Sequence, residues 1–228
     1  MTRGADCFDA VWFDAGGVLV LPDPTVLAPL LAYYGGSPAE ADHVRAHYAA
    51  MAAKSAQGAE ERDWIDYDRA YVRSIGVTDE DLEEAARVLG ITRHAALWRW
   101  PLPGCVDVLR DLDAGGTPMA VVSNASGQIE AVLGRAGVCQ VGPGAGVSMR
   151  CIVDSHVVGV AKPNPAIFDV AAAHFADVAR ARIAYVGDSV TMDVGGATAA
   201  GLHPILLDPF DDHPGAPFER IRSLTELR

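Results

Sequence analysis

Ala10-Val11-Trp12-Phe13-Asp14-Ala15-Gly16-Gly17-Val18-Leu19-Val20 runs a short apolar stretch into a carboxylate and follows it at once with two glycines. Apolar residues without alternation, bounded by a Gly-Gly breaker, read as a strand buried on both faces of a parallel sheet. Ligands of open α/β sheets bind at the carboxyl ends of the strands, which is where Asp14 stands. The glycines let the chain turn sharply and bring bare backbone near whatever Asp14 touches. An aspartate after a strand also serves as a helix cap or a turn residue, so the other strands decide its role.

Beyond Val20 the pattern changes. Pro22-Asp23-Pro24 breaks the chain, and residues 25–100 show helical periodicity with no strand. Helical faces fall at Val26, Leu27, Leu30 and Leu31, at Val44, His47, Tyr48 and Met51, at Trp64, Ile65, Asp68, Tyr71 and Val72, and at Leu82, Ala85, Ala86 and Leu89. Ser37 and Thr78 suit helix N-caps, and Pro101 and Pro103 close this segment of about eighty residues. From Gly104 helix and strand alternate: helix 105–112, strand 119–122, helix 127–136, strand 150–153 after a Gly/Pro-rich loop, and, preceded by Lys162-Pro163, a helix running to about Phe175. Strand 183–186, a small-residue helix ending near Gly201, strand 204–207 and an amphipathic helix over 218–227 complete the chain. Such alternation predicts an α/β fold, a parallel sheet covered on both faces.

Half of the 228 residues are hydrophobic and 21% are charged, the balance of a globular chain. A formal net charge of −12 with no block of Lys and Arg argues against nucleic acid as a partner. Lys54 and Lys162 are the only lysines, against sixteen arginines. Cys7, Cys105, Cys139 and Cys151 lack metal-ligand spacing and read as small core residues of a reducing compartment. No apolar run reaches membrane-span length and no secretory pattern opens the chain, so the expectation is a cytoplasmic protein without a membrane partner.

Strands now end in Asp14, in Ser123-Asn124, and in Asp188 with Asp193 five residues on, while Lys162 precedes a helix. Gathered at one sheet edge, the carboxylates repel unless a cation intervenes, and oxygen ligands suit magnesium. A hydroxyl and a lysine beside that cation suit a phosphoryl group.

These residues carry a resemblance to the haloacid dehalogenase superfamily. Phe13-Asp14-Ala15-Gly16-Gly17-Val18-Leu19 resembles its first motif, Val121-Val122-Ser123-Asn124 its second, and 159–168 with Lys162-Pro163 its third. Gly187-Asp188-Ser189 through Asp193, then Gly196-Ala197 and Ala200-Gly201, resembles the fourth. The resemblance implies a Rossmann-like, doubly wound core over 1–20 and 101–228, with 21–100 as a helical cap of the C1 type. It further implies that Asp14 is a nucleophile forming an aspartyl-phosphate and that Ser123, Asn124 and Lys162 hold phosphoryl oxygens. Mg2+ is implied at Asp14, the Gly16 carbonyl and Asp188, with Asp193 supporting. The substrate class is then a small phosphorylated molecule such as a sugar phosphate, chosen by a cap in which Trp64, Tyr67, Tyr71 and Trp98 shape the pocket.

One departure matters. Most phosphatases of that superfamily carry a second aspartate two residues after the nucleophile as general acid and base, and here the position is Gly16. Loss of such a group costs about 10² to 10⁴ in rate. Either the enzyme is slow, or a cap residue such as His43, His47, Asp66 or Tyr67 supplies the proton, or the chemistry differs. The other chemistries are that of a 2-haloacid dehalogenase, which needs no metal, and that of a phosphonatase using Lys54, whose surroundings read as an ordinary helix surface. A non-catalytic phospho-metabolite binder has no need of the nucleophile.

Overall fold

The computed structural model describes residues 8–56 and 64–228; Cys7 lies outside them. Six strands form one sheet in the order β10-β9-β8-β1-β4-β7, every neighbouring pair parallel. These are β1 (Ala10–Phe13), β4 (Met119–Ser123), β7 (Cys151–Asp154), β8 (Ile183–Gly187), β9 (His203–Leu207) and β10 (Glu219–Ile221). The opening stretch thus lies inside the sheet, with Phe13 level with Val121 of β4 and Val186 of β8.

Side chains of β1 alternate between two cores. Val11 and Phe13 pack with Val108, Leu109 and Leu133, from α5 (Cys105–Ala114) and α6 (Ile129–Arg135). Ala10 and Trp12 pack with Ile167, Phe168 and Ala197, from α7 (Ala166–Ala172) and α8 (Gly196–Ala199). Burial on both faces is why the strand reads as an unbroken apolar run. Helix α5 shows the matching logic, its buried Cys105, Val108, Leu109 and Leu112 recurring at helical spacing after the left-handed Gly104.

Between β1 and β4 stand α1 (Pro24–Leu31), α2 (Glu40–Ala56), α3 (Ile65–Ser74) and α4 (Leu82–Thr92). They share a third core around Leu27, Ala50, Tyr67, Tyr71, Val72 and Leu89. Helix α1 begins where the Asp23 carboxylate accepts the Thr25 N–H at 2.9 Å and Pro24 supplies a preset first turn.

Three sequence expectations change. Residues 25–100 are not free of strand: β2 (Val20–Pro22), wholly buried, pairs antiparallel with the mostly half-buried β3 (Trp98–Pro101), a ribbon too short to show alternation. The 218–227 stretch is not a helix. Ile221, Leu224 and Leu227 are buried at three-residue spacing, which suits a helical face, yet the open edge of β9 recruits Glu219–Ile221 as β10. A 3-10 turn over Leu224–Leu227 follows, capped reciprocally by Ser223 and Glu226. The glycine loop near residue 144 is bracketed by a small pair, β5 (Cys139–Val141) and β6 (Val147–Met149). Among the described residues no helix is long and apolar enough to cross a membrane.

Candidate active site

All the candidate residues meet at the carboxyl ends of β1, β4 and β8. Asp14 continues β1, its N–H donating to the Val186 carbonyl at 2.8 Å, and its Oδ1 accepts the Ala15 N–H at 2.7 Å. Lys162 Nζ lies 3.0 Å from that Oδ1, 2.7 Å from Asp193 Oδ1 and 2.9 Å from the Tyr185 hydroxyl. Asp193 Oδ2 accepts the N–H groups of Asp188 at 3.1 Å and Ser189 at 2.9 Å, which fixes the turn after β8. Ser123 ends β4, buried in the cleft wall. Asn124 braces the lysine loop: its Nδ2 donates to the Lys162 carbonyl at 3.0 Å and its Oδ1 accepts the Lys162 N–H at 2.8 Å.

Two glycines make the close approach possible. At Gly17, where φ is +76°, a Cβ would stand 1.8 Å from Asp188 Oδ2. At Gly187 it would stand 2.2 Å from Asp193 Cβ. Any other residue would push the carboxylates out of the cluster. Gly16 is different: its φ is not in the left-handed region, and a Cβ there would instead meet the Trp98 ring at 3.2 Å.

Oxygens of Asp14, Asp188 and Asp193 lie within 4.8 Å of one another, all buried or nearly so. Burial pushes the Asp14 carboxyl up to about 7, partly relieved by Lys162 and aggravated by Asp193 and Asp188. Burial likewise raises Asp188, against the hydrogen bond it accepts from His47. For Lys162 burial disfavours the charge, but Asp14 and Asp193 outweigh it and hold the ammonium above the usual lysine range. Three carboxylates thus face one ammonium. A hard divalent cation fits this donor set, in a cradle that a Cβ at Gly17 would fill.

The helices contribute the opposite wall of a cleft of about 710 Å³. Of the four proton-donor candidates, His47 alone touches the carboxylates, with Nε2 2.9 Å from Asp188 Oδ2 and Nδ1 2.9 Å from the Tyr67 hydroxyl. Tyr67 acts through that bond, and His43 is turned to Tyr71 and the Ser37 carbonyl. Asp66 is half-buried and does not line the cleft. Trp64 and Trp98 line it, whereas Tyr71 belongs to the core.

Lys54 is not on an ordinary helix surface. It is buried on the face of α2 that carries His47, seven residues earlier, and its Nζ sits 3.6 Å from the centre of the Trp64 ring. That spacing was the available signal. Tyr185 was missed as well: a phenol inside the apolar run 183–186 needs a partner, and it finds Lys162, Asp193 and the Val122 carbonyl.

A family model described as "Hydrolase: haloacid dehalogenase-like hydrolase" matches residues 8–201. Pyrimidine 5'-nucleotidase YjjG of Escherichia coli (strain K12) is 29% identical over 149 residues, 61% of this chain and 63% of that protein. The Homo sapiens haloacid dehalogenase-like hydrolase domain-containing protein 3 is 33% identical over 116 residues, 50% of this chain and 42% of that protein. The match therefore spans less than two thirds of either relative. Among solved structures, a HAD phosphatase from Thermococcus onnurineus superposes with a TM-score of 0.57 at 19% identity, covering 96% of this chain and 95% of that one. YfnB of Bacillus subtilis, in a magnesium-bound crystal form, gives 0.57 at 19% with 96% of both chains covered. At these identities the likeness to the solved structures is one of fold.

Proposed function

The chain belongs to the haloacid dehalogenase-like hydrolases, and on that premise we propose that it hydrolyses small phosphate monoesters, sugar phosphates among them, in a magnesium-dependent reaction through an aspartyl-phosphate on Asp14. The observation that carries this reading is the Lys162 ammonium between Asp14 and Asp193, beside Asp188, at the floor of an open cleft. A dehalogenase attacking carbon has no use for so many carboxylates around its nucleophile.

Ser123 and Lys162 hold the phosphoryl oxygens, and Asn124 keeps Lys162 in register by gripping its main chain. The Asp14 carboxylate attacks phosphorus, the P–O bond to the alcohol breaks, and water then hydrolyses the acyl phosphate to restore Asp14 and release phosphate. Asp14, the Gly16 carbonyl and Asp188, with Asp193 in support, would hold magnesium, which would supply positive charge to offset what an anionic substrate brings to three carboxylates. Asp193 has a second duty, ordering the turn after β8 and anchoring Lys162. With Gly16 in place of a second carboxylate, the leaving alkoxide takes its proton from water in the cleft. Residues 21–100 act as the cap that selects the substrate, and the reaction belongs to the cytoplasm. The Bacillus subtilis neighbour, crystallised with magnesium and described with interdomain movement, supports both the metal and a mobile cap.

The deciding experiment is phosphate release from a panel of monoesters with magnesium and with EDTA, beside halide release from 2-haloacids. Magnesium-dependent phosphate release is expected. Halide release indifferent to EDTA would overturn the reading.

A further inference from the structure

We infer that Tyr185 is a positioning residue for phosphoryl transfer: its buried hydroxyl, with Asp193, fixes the Lys162 ammonium so that the N–H now directed at Asp14 passes to a phosphoryl oxygen as the reaction proceeds. The inference rests on the phosphatase reading and deepens it.

An ammonium has three N–H groups to donate. Lys162 Nζ has three oxygen neighbours at donor distance: Asp193 Oδ1 at 2.7 Å, the Tyr185 hydroxyl at 2.9 Å and Asp14 Oδ1 at 3.0 Å. Every donor therefore has an acceptor, and none is left over for a substrate. To hold a phosphoryl oxygen, the lysine must trade one of these contacts. Asp193 and Tyr185 lie inside the fold at 1% and 0% exposure, while Asp14, at 9%, is the most open of the three. Giving up Asp193 would strip a buried carboxylate oxygen of its cation, which is costly. Asp14 is also the group whose charge changes. As its carboxylate bonds to phosphorus it ceases to be an anion, and the negative charge is carried by the phosphoryl oxygens. The N–H on Asp14 is the one to be traded, and Asp193 and Tyr185 are the two fixed points about which the ammonium is held.

The phenol is well placed for that duty. Tyr185 stands on β8 level with Trp12 of β1, its ring edge-on to Phe168 with centroids 4.9 Å apart. Lys162 Nζ lies 5.5 Å from the ring centre, so the cation is gripped by the hydroxyl oxygen and not by the aromatic face. While accepting from Lys162, the hydroxyl has a single proton of its own, with the Val122 carbonyl at 2.9 Å and Asp193 Oδ1 at 3.0 Å as acceptors. Val122 immediately precedes Ser123. One hydroxyl thus ties the lysine to the end of β4, the two pieces of the fold proposed to hold the phosphoryl group. A donor oriented in advance costs no reorganisation at the moment of reaction.

Tyr185→Phe removes the hydroxyl and keeps the ring. With magnesium present, kcat and kcat/KM for a monoester should fall together by about ten- to a hundredfold at nearly constant KM, the mark of a contact that counts in the transition state. Orthovanadate, which mimics that state, should lose affinity by a similar factor while inorganic phosphate binds about as well as before. Because the chain has only two lysines, lysine-selective isotope labelling gives just two ammonium signals by NMR. The Lys162 ammonium protons should exchange slowly with solvent in the wild type and about tenfold faster in Tyr185→Phe, as the loss of one hydrogen bond implies, with the Lys54 signal unmoved. A Lys162 ammonium that exchanges as fast as a free amine in the wild type overturns the inference without recourse to any variant. So does a folded Tyr185→Phe protein with wild-type kcat, or one whose losses fall equally on phosphate and vanadate; both leave the phosphatase reading standing. A wild type that neither hydrolyses monoesters nor binds vanadate overturns both.

Discussion

The Trp98 ring lies across Gly16, so that a Cβ at residue 16 would come within 3.2 Å of two of its carbon atoms. The backbone there tolerates a side chain; the neighbour does not, unless it moves by a few tenths of an ångström. Gly16→Asp alone is therefore expected to fold with a loss of about 1–3 kcal/mol, the usual cost of overpacking. Combined with Trp98→Val it should recover stability and raise turnover of alkyl phosphates by up to about 10² to 10⁴, as a restored general acid does. Nitrophenyl phosphate, whose leaving group needs no proton, should gain less. Equal or lower rates on both substrates in the folded double variant would show that a proton already reaches the leaving group by another route.

Magnesium should stabilise the fold as well as permit turnover, because Asp14, Asp188 and Asp193 repel one another without it. At a hundred times its dissociation constant a ligand contributes about 2.7 kcal/mol. A rise in Tm with millimolar magnesium, reversed by EDTA and absent in Asp188→Ala, is the expected result. An unchanged melt in wild type contradicts a metal at this cluster.

Asp14→Asn should abolish phosphate release and beryllofluoride trapping while leaving the fold intact, and it should also change the pH profile of stability. Burial holds the Asp14 carboxyl at about 7, above its unfolded value of 3.8, so the folded chain binds this proton more tightly than the unfolded one. Stability of the metal-free protein is thus greatest below about pH 4 on this account and falls as pH rises toward 7. Asp188 acts in the same direction. Thermal melts in EDTA at pH 5 and 8 should differ less for Asp14→Asn than for wild type. An identical drop in both proteins would assign the slope to other groups.

His47 ties helix α2 to the sheet edge through Asp188 and Tyr67. His47→Leu keeps the bulk but leaves a buried carboxylate oxygen and a phenol short of a partner, at a cost of about 1–3 kcal/mol. Loss of a group that orients a metal ligand typically weakens metal affinity 10- to 100-fold. Urea denaturation and a magnesium titration followed by Tm read the two effects separately. A variant as stable as wild type, with unaltered affinity, would reduce His47 to a packing residue.

Cys105, Cys139 and Cys151 are free thiols pushed up to about 11, 12 and 11 by burial. None should react with a disulfide reagent at pH 8 in the native protein on the timescale of minutes, and all should react in urea. Rapid native labelling of any of them, located by mass spectrometry, would show that its core opens.

The sheet could be read from residue order because buried parallel strands are written as plain apolar runs. Asp14, Ser123 and Asp188 are legible as polar residues at or just after the ends of β1, β4 and β8, and Lys162 as one of only two lysines, standing before a helix; the structure brings these four together at the sheet edge. What escaped depends on contacts between distant segments. Trp98 reads as the end of a helical segment, and only its pairing with Pro22 makes it a strand residue that reaches Gly16. Lys54 acquires its surroundings from Trp64 across the α2–α3 connection, which local sequence does not show. Segment 218–227 has a three-residue apolar spacing that serves a helix and an edge strand followed by a tight turn equally well, and the vacant side of β9 decides.

The chain leaves the sheet along β2 and returns along β3, and these two strands are hydrogen-bonded to each other, with the Leu102 N–H closing onto the Leu19 carbonyl at 2.9 Å. A loop whose two ends are already sewn together can be lengthened, trimmed or exchanged without shifting the register of any sheet strand. On the proposed reading, the chemistry at the sheet edge and the choice of molecule can therefore be inherited separately, because a change between Pro22 and Trp98 leaves the sheet strands where they are.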